Sequence, residues 1–336
     1  MNRELPESVT LDMVAELAGV SKSTVSRVVN GSNDVSARTR DSVGQAIASL
    51  NYVPNRAARS LASRQTHAIA LIVAEDSTRF FSDPFFPTIV SGINAYLNDT
   101  DYVLNLFVAS GDPGDKTTRY VRSGAVDGAL IVSHHSSDQF LNRVAASVPV
   151  VYGGRPMTGL ANDFYVDVDN ARGGREATEY LLRQGHRRIA MIAGRLTMSV
   201  GIDRLDGFRA ALAAAGLSEA AVEQGDFTLE GGAAAMRRIL DRGEAPDAVF
   251  AASDLMARGA IRVLRSRRLR VPHDVAVIGF DDSPVATSAS PHLTTMRQPW
   301  LLQGEKMASV LVDLLAGRQP PRVTLLDPEL VVRRSA

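Results

Sequence analysis

Asp281 and Asp282 stand side by side in "VIGFDDSPVATS". Paired carboxylates are the equipment of a glycosidase, but that work needs two groups roughly 5–9 Å apart across a substrate. Neighbours on one turn do not meet that demand. His134 and His135 could offer imidazoles to zinc, yet no third ligand follows at a metal-binding spacing, so two solvated loop histidines are expected. The glycine pairs beginning at 153, 173 and 231 lack the G-x-G-x-x-G pattern after a strand. No Ser-His-Asp arrangement is visible. The chain reads as a non-enzyme with no metal and no cofactor.

The chemistry that is written into the chain is electrostatic. Lys+Arg and Asp+Glu are both 37, so the net charge says nothing about partners. From Val20 to Arg64, however, seven basic residues stand against two acids, a net +5, and the other 291 residues carry −5. A basic head on a mildly acidic body points to a polyanion partner for the head. The length of 336 residues suggests two or three domains, and 45% hydrophobic with 22% charged residues is a soluble globular composition. With no cysteine, disulfide and thiolate chemistry are excluded, which fits a reducing cytosol. "MNRELPESVT" has no apolar signal core and no segment reaches the ~18 apolar residues of a membrane span, so a cytoplasmic protein is expected.

The elements that must present the basic residues are three short helices. Thr10 is placed to cap the first, with Leu11, Val14, Ala15 and Ala18 on one face. Gly19 and Val20 make a tight turn, and Ser21 caps a second helix, "KSTVSRVVN", that buries Val25, Val28 and Val29. Ser36 caps a third, with Val43, Ile47 and Leu50 inward. Two helices across a short glycine turn followed by a third is the helix-turn-helix pattern, whose second helix lies in the major groove. Lys22 and Ser23, then Arg27 a turn later, are the expected readers of base edges. Ser21, Thr24, Ser26, Asn30, Ser36 and Tyr52 suit phosphate oxygens, and Thr10 joins them among the expected DNA contacts.

"YVPNRAARSLASRQT" is stranger. Pro54 opens it, Asn55 can cap it, and Arg56 to Ala62 are mostly good helix formers. Isolated helices under about 12 residues are marginal in water, and this one has a single large apolar residue, Leu61. The strings "VTLDMVAELAGVSKSTVSRVVNG" and "SLNYVPNRAARSLA" resemble the head of the lactose/galactose repressor family of bacterial transcription regulators. That resemblance implies a hinge helix over 54–66, lying beside its twin in the minor groove, with Leu61 as the wedge between base pairs. Unstacking a step costs a few kcal/mol and lets bent DNA meet more protein. Arg56 and Arg59 supply phosphate contacts, and Ala57 and Ala58 keep the helix thin enough for its twin and the groove. A helix unstable by itself is one that small changes elsewhere can melt.

From 67 onward apolar strands such as "HAIALIVAE", "GALIVS", "RIAMIAG", "AVFAAS" and "VAVIGFDD" alternate with amphipathic helices. That alternation means parallel sheets covered on both faces, with a pocket at the strands' carboxyl ends. The resemblance continues through "DRLDGF", "SDLMARGAI" and "VIGFDDSPVATSASPHLTTMRQP". The implied fold class is an all-α helix-turn-helix head (residues 1–53) on an α/β periplasmic-binding-protein-like body with two parallel-sheet lobes. The N-lobe would hold about 67–167 and 298–325, the C-lobe about 168–297 and the tail. Arg204, Asp254 and Asp281 match positions that hold effector hydroxyls in the family. Asp254 reads equally well as a helix cap, and Asp282 as structural. Phe85, Phe86, Phe227 and Trp300 match aromatic walls, suited to the apolar face of a pyranose or to a purine. Core packing is the reading for Phe80 and Phe81, and an alternative for Trp300. Arg155 is placed with the effector residues but lacks the acid that often precedes it in the family, since Gly153 and Gly154 stand there, so it reaches the ligand alone or not at all. Thr197 to Val200 form the loop before Arg204, and Val200 is placed with the effector residues.

The implied protein is a homodimeric repressor of a near-palindromic operator, released when a sugar, a glucoside or short oligosaccharide, closes the lobes. A purine-type corepressor, or a sugar-binding protein without a regulatory role, are the alternatives. No leucine heptad precedes the terminal "LVVRRSA", so a coiled-coil tetramer is not expected. Leu61→Ala should weaken specific operator binding far more than non-specific binding. Gel shifts on matched and scrambled duplexes check this, and equal loss on both would remove the wedge.

Overall fold

The computed structural model describes residues 9–29, 34–53, 65–157, 163–243 and 246–336. The chain divides into two compact units, 1–67 and 68–336.

The head is built from α1 (Leu11–Ala18), α2 (Lys22–Val29) and α3 (Ala37–Leu50). The Thr10 side chain accepts the Met13 N–H, and Gly19 ends α1 in the left-handed region at φ 65°. That conformation, cheap for glycine, turns the chain at once into α2. Ser21 Oγ accepts the Thr24 N–H at 3.2 Å and Ser36 Oγ the Thr39 N–H at 3.2 Å, so each following helix starts on a hydroxyl cap. Val14, Ala15, Val25, Val43, Ala46 and Tyr52 form the core, with Val28 and Val29 only half-buried beside it. The Tyr52 ring closes this small core, with only 8% of the residue exposed.

The body carries two six-stranded sheets. The first contains β1 (Ala68–Val73), β2 (Val103–Val108), β3 (Gly128–Val132), β4 (Val150–Gly153) and β5 (Phe164–Val168). The second contains β6 (Ile189–Ala193), β7 (Ala221–Gln224), β8 (Ala248–Ala251), β9 (Ala276–Asp281) and β10 (Thr294–Arg297). Two late strands complete them, β11 (Val323–Leu326) beside β5 and β12 (Glu329–Val331) antiparallel to β10. The orders β11-β5-β4-β3-β1-β2 and β12-β10-β9-β8-β6-β7 are doubly wound. The chain therefore passes between the sheets after β5, after β10 and after β11. The tail stays with the second sheet, where Ser335 Oγ donates to the Val277 carbonyl and accepts the Thr294 N–H.

β1, β3, β6 and β8 are buried at every residue, as strands covered on both faces must be. β5, β7, β10, β11 and β12 were not anticipated. They are short and mix in polar residues ("FYVDV", "AVEQ", "TTMR", "VTLL"), so pairing with an apolar neighbour defines them, not composition. Phe80 is a core residue, but Phe81 is 83% exposed, against the expectation that both would be buried. They are adjacent on one helical turn, and only one can face inward.

In the second lobe the helices that follow β5 and β6, Asn170–Arg183 and Ser199–Ala214, cross in close contact. A Cβ on Gly207 would stand 2.0 Å from the Ala171 carbonyl oxygen, and one on Gly174 2.3 Å from that of Arg204. Gly207→Ala should destabilise the body by about 1–3 kcal/mol through this overpacking. Urea unfolding followed by circular dichroism checks it, and an unchanged midpoint would mean the helices separate freely.

Candidate functional site

The exposed face of α2 carries Lys22, Ser23 and Arg27, opposite the inward Val25. Thr10, Ser21 and Ser36 are also exposed, while Thr24 and Ser26 are half-buried. Ser21 Oγ is 2.8 Å from both Ser23 Oγ and Thr24 Oγ1, so the hydroxyls form one cluster at the start of the helix. Lys22 Nζ pairs with Asp12 at 2.9 Å, both side chains largely solvent-exposed. An exposed pair of this kind is worth ~0–1 kcal/mol, so a phosphate or a guanine edge can displace the acid. Asn30, Asn55, Arg56, Ala58, Arg59 and Leu61 lie outside the described residues.

In the body a cleft lies at the carboxyl ends of both sheets. It includes about 770 Å³ of space, its open mouth and adjoining solvent counted. Phe85, Phe86, Val200, Arg204, Phe227, Asp281 and Trp300 all line it. Topology explains the meeting. β1 and β3 in one sheet, and β6 and β8 in the other, are neighbours whose connections leave in opposite directions, so the loops after them open a crevice.

Arg204 is the fixed cation of the C-lobe wall. It is 3% exposed, and its guanidinium carbon lies 3.7 Å from the centre of the Phe280 ring. Nε donates to Asn170 Oδ1 at 2.9 Å and Nη1 to the Ala252 carbonyl at 2.6 Å. Burial lowers its pKa to about 10, against the pull of Asp281, Asp167 and Asp254, and it remains charged near neutrality. Asp281 Oδ1 lies 3.8 Å from Nη1 and accepts from Gln298 Nε2 at 2.6 Å. Burial holds the Asp281 carboxyl well above the usual range. Its backbone sits at φ 123°, and Asp282 follows at φ 55°. Non-glycine residues in that region cost of order 1–3 kcal/mol, a strain kept at functional turns. Asp282 is tied to Arg297 at 2.8 Å and to Arg333 at 2.5 Å, a structural role.

The aromatic wall is equally specified. Phe85 and Trp300 meet edge to face, 5.4 Å between centroids. Phe227 has φ 66°, and its ring lies where a Cβ on residue 194 would be only 2.0 Å away. Gly194 is what admits it. Trp300 Nε1 is buried with no hydrogen-bond partner among the described residues.

Two expected effector residues lie off this wall. Asp254 is fully buried beneath it, where its carboxylate accepts the Ser283 N–H at 2.9 Å and the Thr295 hydroxyl at 2.7 Å. Burial raises its pKa to about 7. Nor does Asp254 cap its helix, because Ser253 Oγ takes the Met256 N–H. Arg155 is committed across the mouth of the cleft, its Nη2 donating to Asp203 at 2.6 Å and its carbonyl accepting from Ser199 Oγ at 2.6 Å. The histidines also depart from expectation. His134 lines the cleft, is 6% exposed, and burial lowers its pKa to about 4. His135 bonds Glu75 Oε1 at 3.1 Å and Thr197 Oγ1 at 3.0 Å, linking the two lobes. Arg79, Asp83, Asp167 and Gln298 line the cleft without having been anticipated. Asp167 is pushed up to about 6 by burial, although Arg155 N–H and Val168 N–H both donate to it. Of these only Gln298 carried a sequence signal, in its place two residues before Trp300.

A helix-turn-helix unit ahead of a two-lobed ligand cleft defines a DNA-binding regulator under small-molecule control. The chain belongs to the lacI family of bacterial regulatory proteins. The model of that family's head matches residues 10–55, and that of a periplasmic binding protein-like domain matches 178–336. The transcriptional regulator CelR of Thermobifida fusca is 49% identical over 335 residues, 97% of this chain and 98% of CelR. The ribose operon repressor of Escherichia coli K12 is 36% identical over 335 residues, 97% and 99% of the two chains. A solved CelR–cellobiose complex matches 98% of this chain and 100% of its own at TM-score 0.77 and 45% identity. The lac repressor dimer bound to operator and the anti-inducer ONPF matches 98% and 99% at TM-score 0.86 and 30% identity. No described helix is long and apolar enough to cross a membrane.

Asp281→Ala should leave operator affinity within about threefold and abolish the response to effector. Fluorescence anisotropy with and without ligand checks this, and a normal dose–response would remove Asp281 from the site.

Proposed function

We propose that this regulator is a cytoplasmic, non-catalytic homodimeric repressor whose inducer is a neutral saccharide of the cellobiose type, a β-glucoside or short oligosaccharide. The observation that carries the reading is the make-up of the cleft, where rings of Phe85, Phe227 and Trp300 stand among donors and acceptors from both lobes. A sugar ring has an apolar face for the aromatics and a rim of hydroxyls for Arg204, Asp281 and Gln298. The charged lining, Arg79 and Arg204 against Asp83, Asp167 and Asp281, has no surplus of cations for a phosphate. The 49% identity to CelR, and the cellobiose in the CelR complex, support the same ligand class.

In this reading Thr10, Ser21, Lys22, Ser23, Thr24, Ser26, Arg27 and Ser36 hold each half-site, and the segment 54–66 meets the operator centre. Inducer binding favours a closed body in which the two hinge segments no longer pair on DNA. Affinity falls by the difference in inducer binding between the two states, typically ~5–150-fold. An operator is first selected from random duplexes with the full chain. Cellobiose, monosaccharides and purine bases are then titrated into the complex. Cellobiose should release the DNA with the purines inert. Tightening by a purine with cellobiose inert would replace the inducer by a corepressor.

A further inference from the structure

Arg79 lies in a short helix, Ser77–Ser82, that leaves β1, where the Asp76 carboxylate accepts its own N–H at 3.0 Å. It is 9% exposed and lines the cleft from the N-lobe. Nη1 stands 2.8 Å from Glu75 Oε1. Yet Nε completes no hydrogen bond with any described residue, although it is shut away from solvent. Burying a guanidinium N–H unsatisfied is costly, and the ion pair with Glu75 leaves that cost standing.

The surroundings hold this half-satisfied fork in place. Glu75 Oε1 also accepts the Ser133 hydroxyl at 2.8 Å and lies 3.1 Å from His135 Nε2, so the carboxylate is anchored from two further sides. The Arg79 guanidinium carbon lies 5.6 Å from the centre of the Phe227 ring, which belongs to the opposite lobe. Asp83, one helical turn on, lines the same cleft. Each lobe thus brings an arginine and an aspartate to one cavity, Arg79 with Asp83 and Arg204 with Asp281.

We propose that Arg79 is an effector-binding residue whose incompletely paired guanidinium donates to hydroxyl oxygens of the bound saccharide, with Glu75 as its positioning residue. The inference rests on the saccharide reading above. The planar fork suits two neighbouring hydroxyls on one sugar ring. A ligand so held on the N-lobe and bonded to Arg204 and Asp281 on the C-lobe joins the lobes directly, which is what a closure-driving ligand must do.

Calorimetric titration of cellobiose into the full-length protein, R79M and R79K tests this. R79M should bind about 10- to 100-fold more weakly, the loss expected for charge-assisted bonds. R79K should stay clearly weakened, because an ammonium does not reproduce the fork. Operator affinity without sugar should stay within twofold. Cellobiose binding by R79M within twofold of the wild type overturns the role of Arg79 and leaves the saccharide reading standing. A wild-type protein that binds neither cellobiose nor any other neutral saccharide overturns both. Should R79M fail to fold, the Nε–H resonance of Arg79 in ¹⁵N-arginine-labelled wild type gives the answer. A shift at saturating cellobiose supports the contact, and an unmoved signal refutes it.

Discussion

A single guanidinium in a place nearly closed to water organises the effector cleft. Arg204 pays the desolvation of a full charge at the base of the C-lobe wall, and its pKa falls to about 10 in consequence. The cost is offset by the face of Phe280, by Asn170 and the Ala252 carbonyl, and by a ring of acids. Those partners come from separate elements: Asn170 opens the helix after β5, Ala252 follows β8, and Asp281 ends β9. Satisfying one cation therefore sets the relative positions of three loops. The strained backbone at Asp281 is the local price of that arrangement.

The cleft wall has a second character, since several of its groups are buried but incompletely paired. Trp300 Nε1 and Arg79 Nε have no described partner, and the Asp281 and Asp83 carboxyls are raised by burial. In a core this would be a defect. In a cleft between lobes that already touch through His135–Thr197 and Arg155–Asp203, it leaves polar capacity that a hydroxyl-rich ligand can take up. Regulation by closure needs no more than that, because a ligand shifts an equilibrium only by its differential contacts with the two states.

Much of the chain was legible because its physics is local. The caps Thr10, Ser21 and Ser36, the glycine turn at Gly19 and the basic face of α2 depend on residues a few positions apart. So do the fully buried strands, whose apolar runs declare themselves. Residues held by distant elements were harder to read. Tyr52, Asp254, Arg155 and His134 are polar or amphipathic residues whose partners lie on other elements, so their type did not reveal whether they would face water, a core or a ligand. Asp254 has the residue type of a ligand contact and the position of a cap; Ser253 takes the cap, and Ser283 and Thr295 arrive from distant loops to hold the Asp254 carboxylate.

Residue order by itself determined the helix-turn-helix head, the basic character of residues 20–64, the α/β alternation of the body and the supply of aromatics and acids for a ligand. Tertiary structure decided which of these groups share a cavity. It set Arg79 and Phe227 from opposite lobes 5.6 Å apart, though they are far apart in sequence. The reason is that a doubly wound sheet gathers the ends of strands, whatever their distance along the chain, at one crevice.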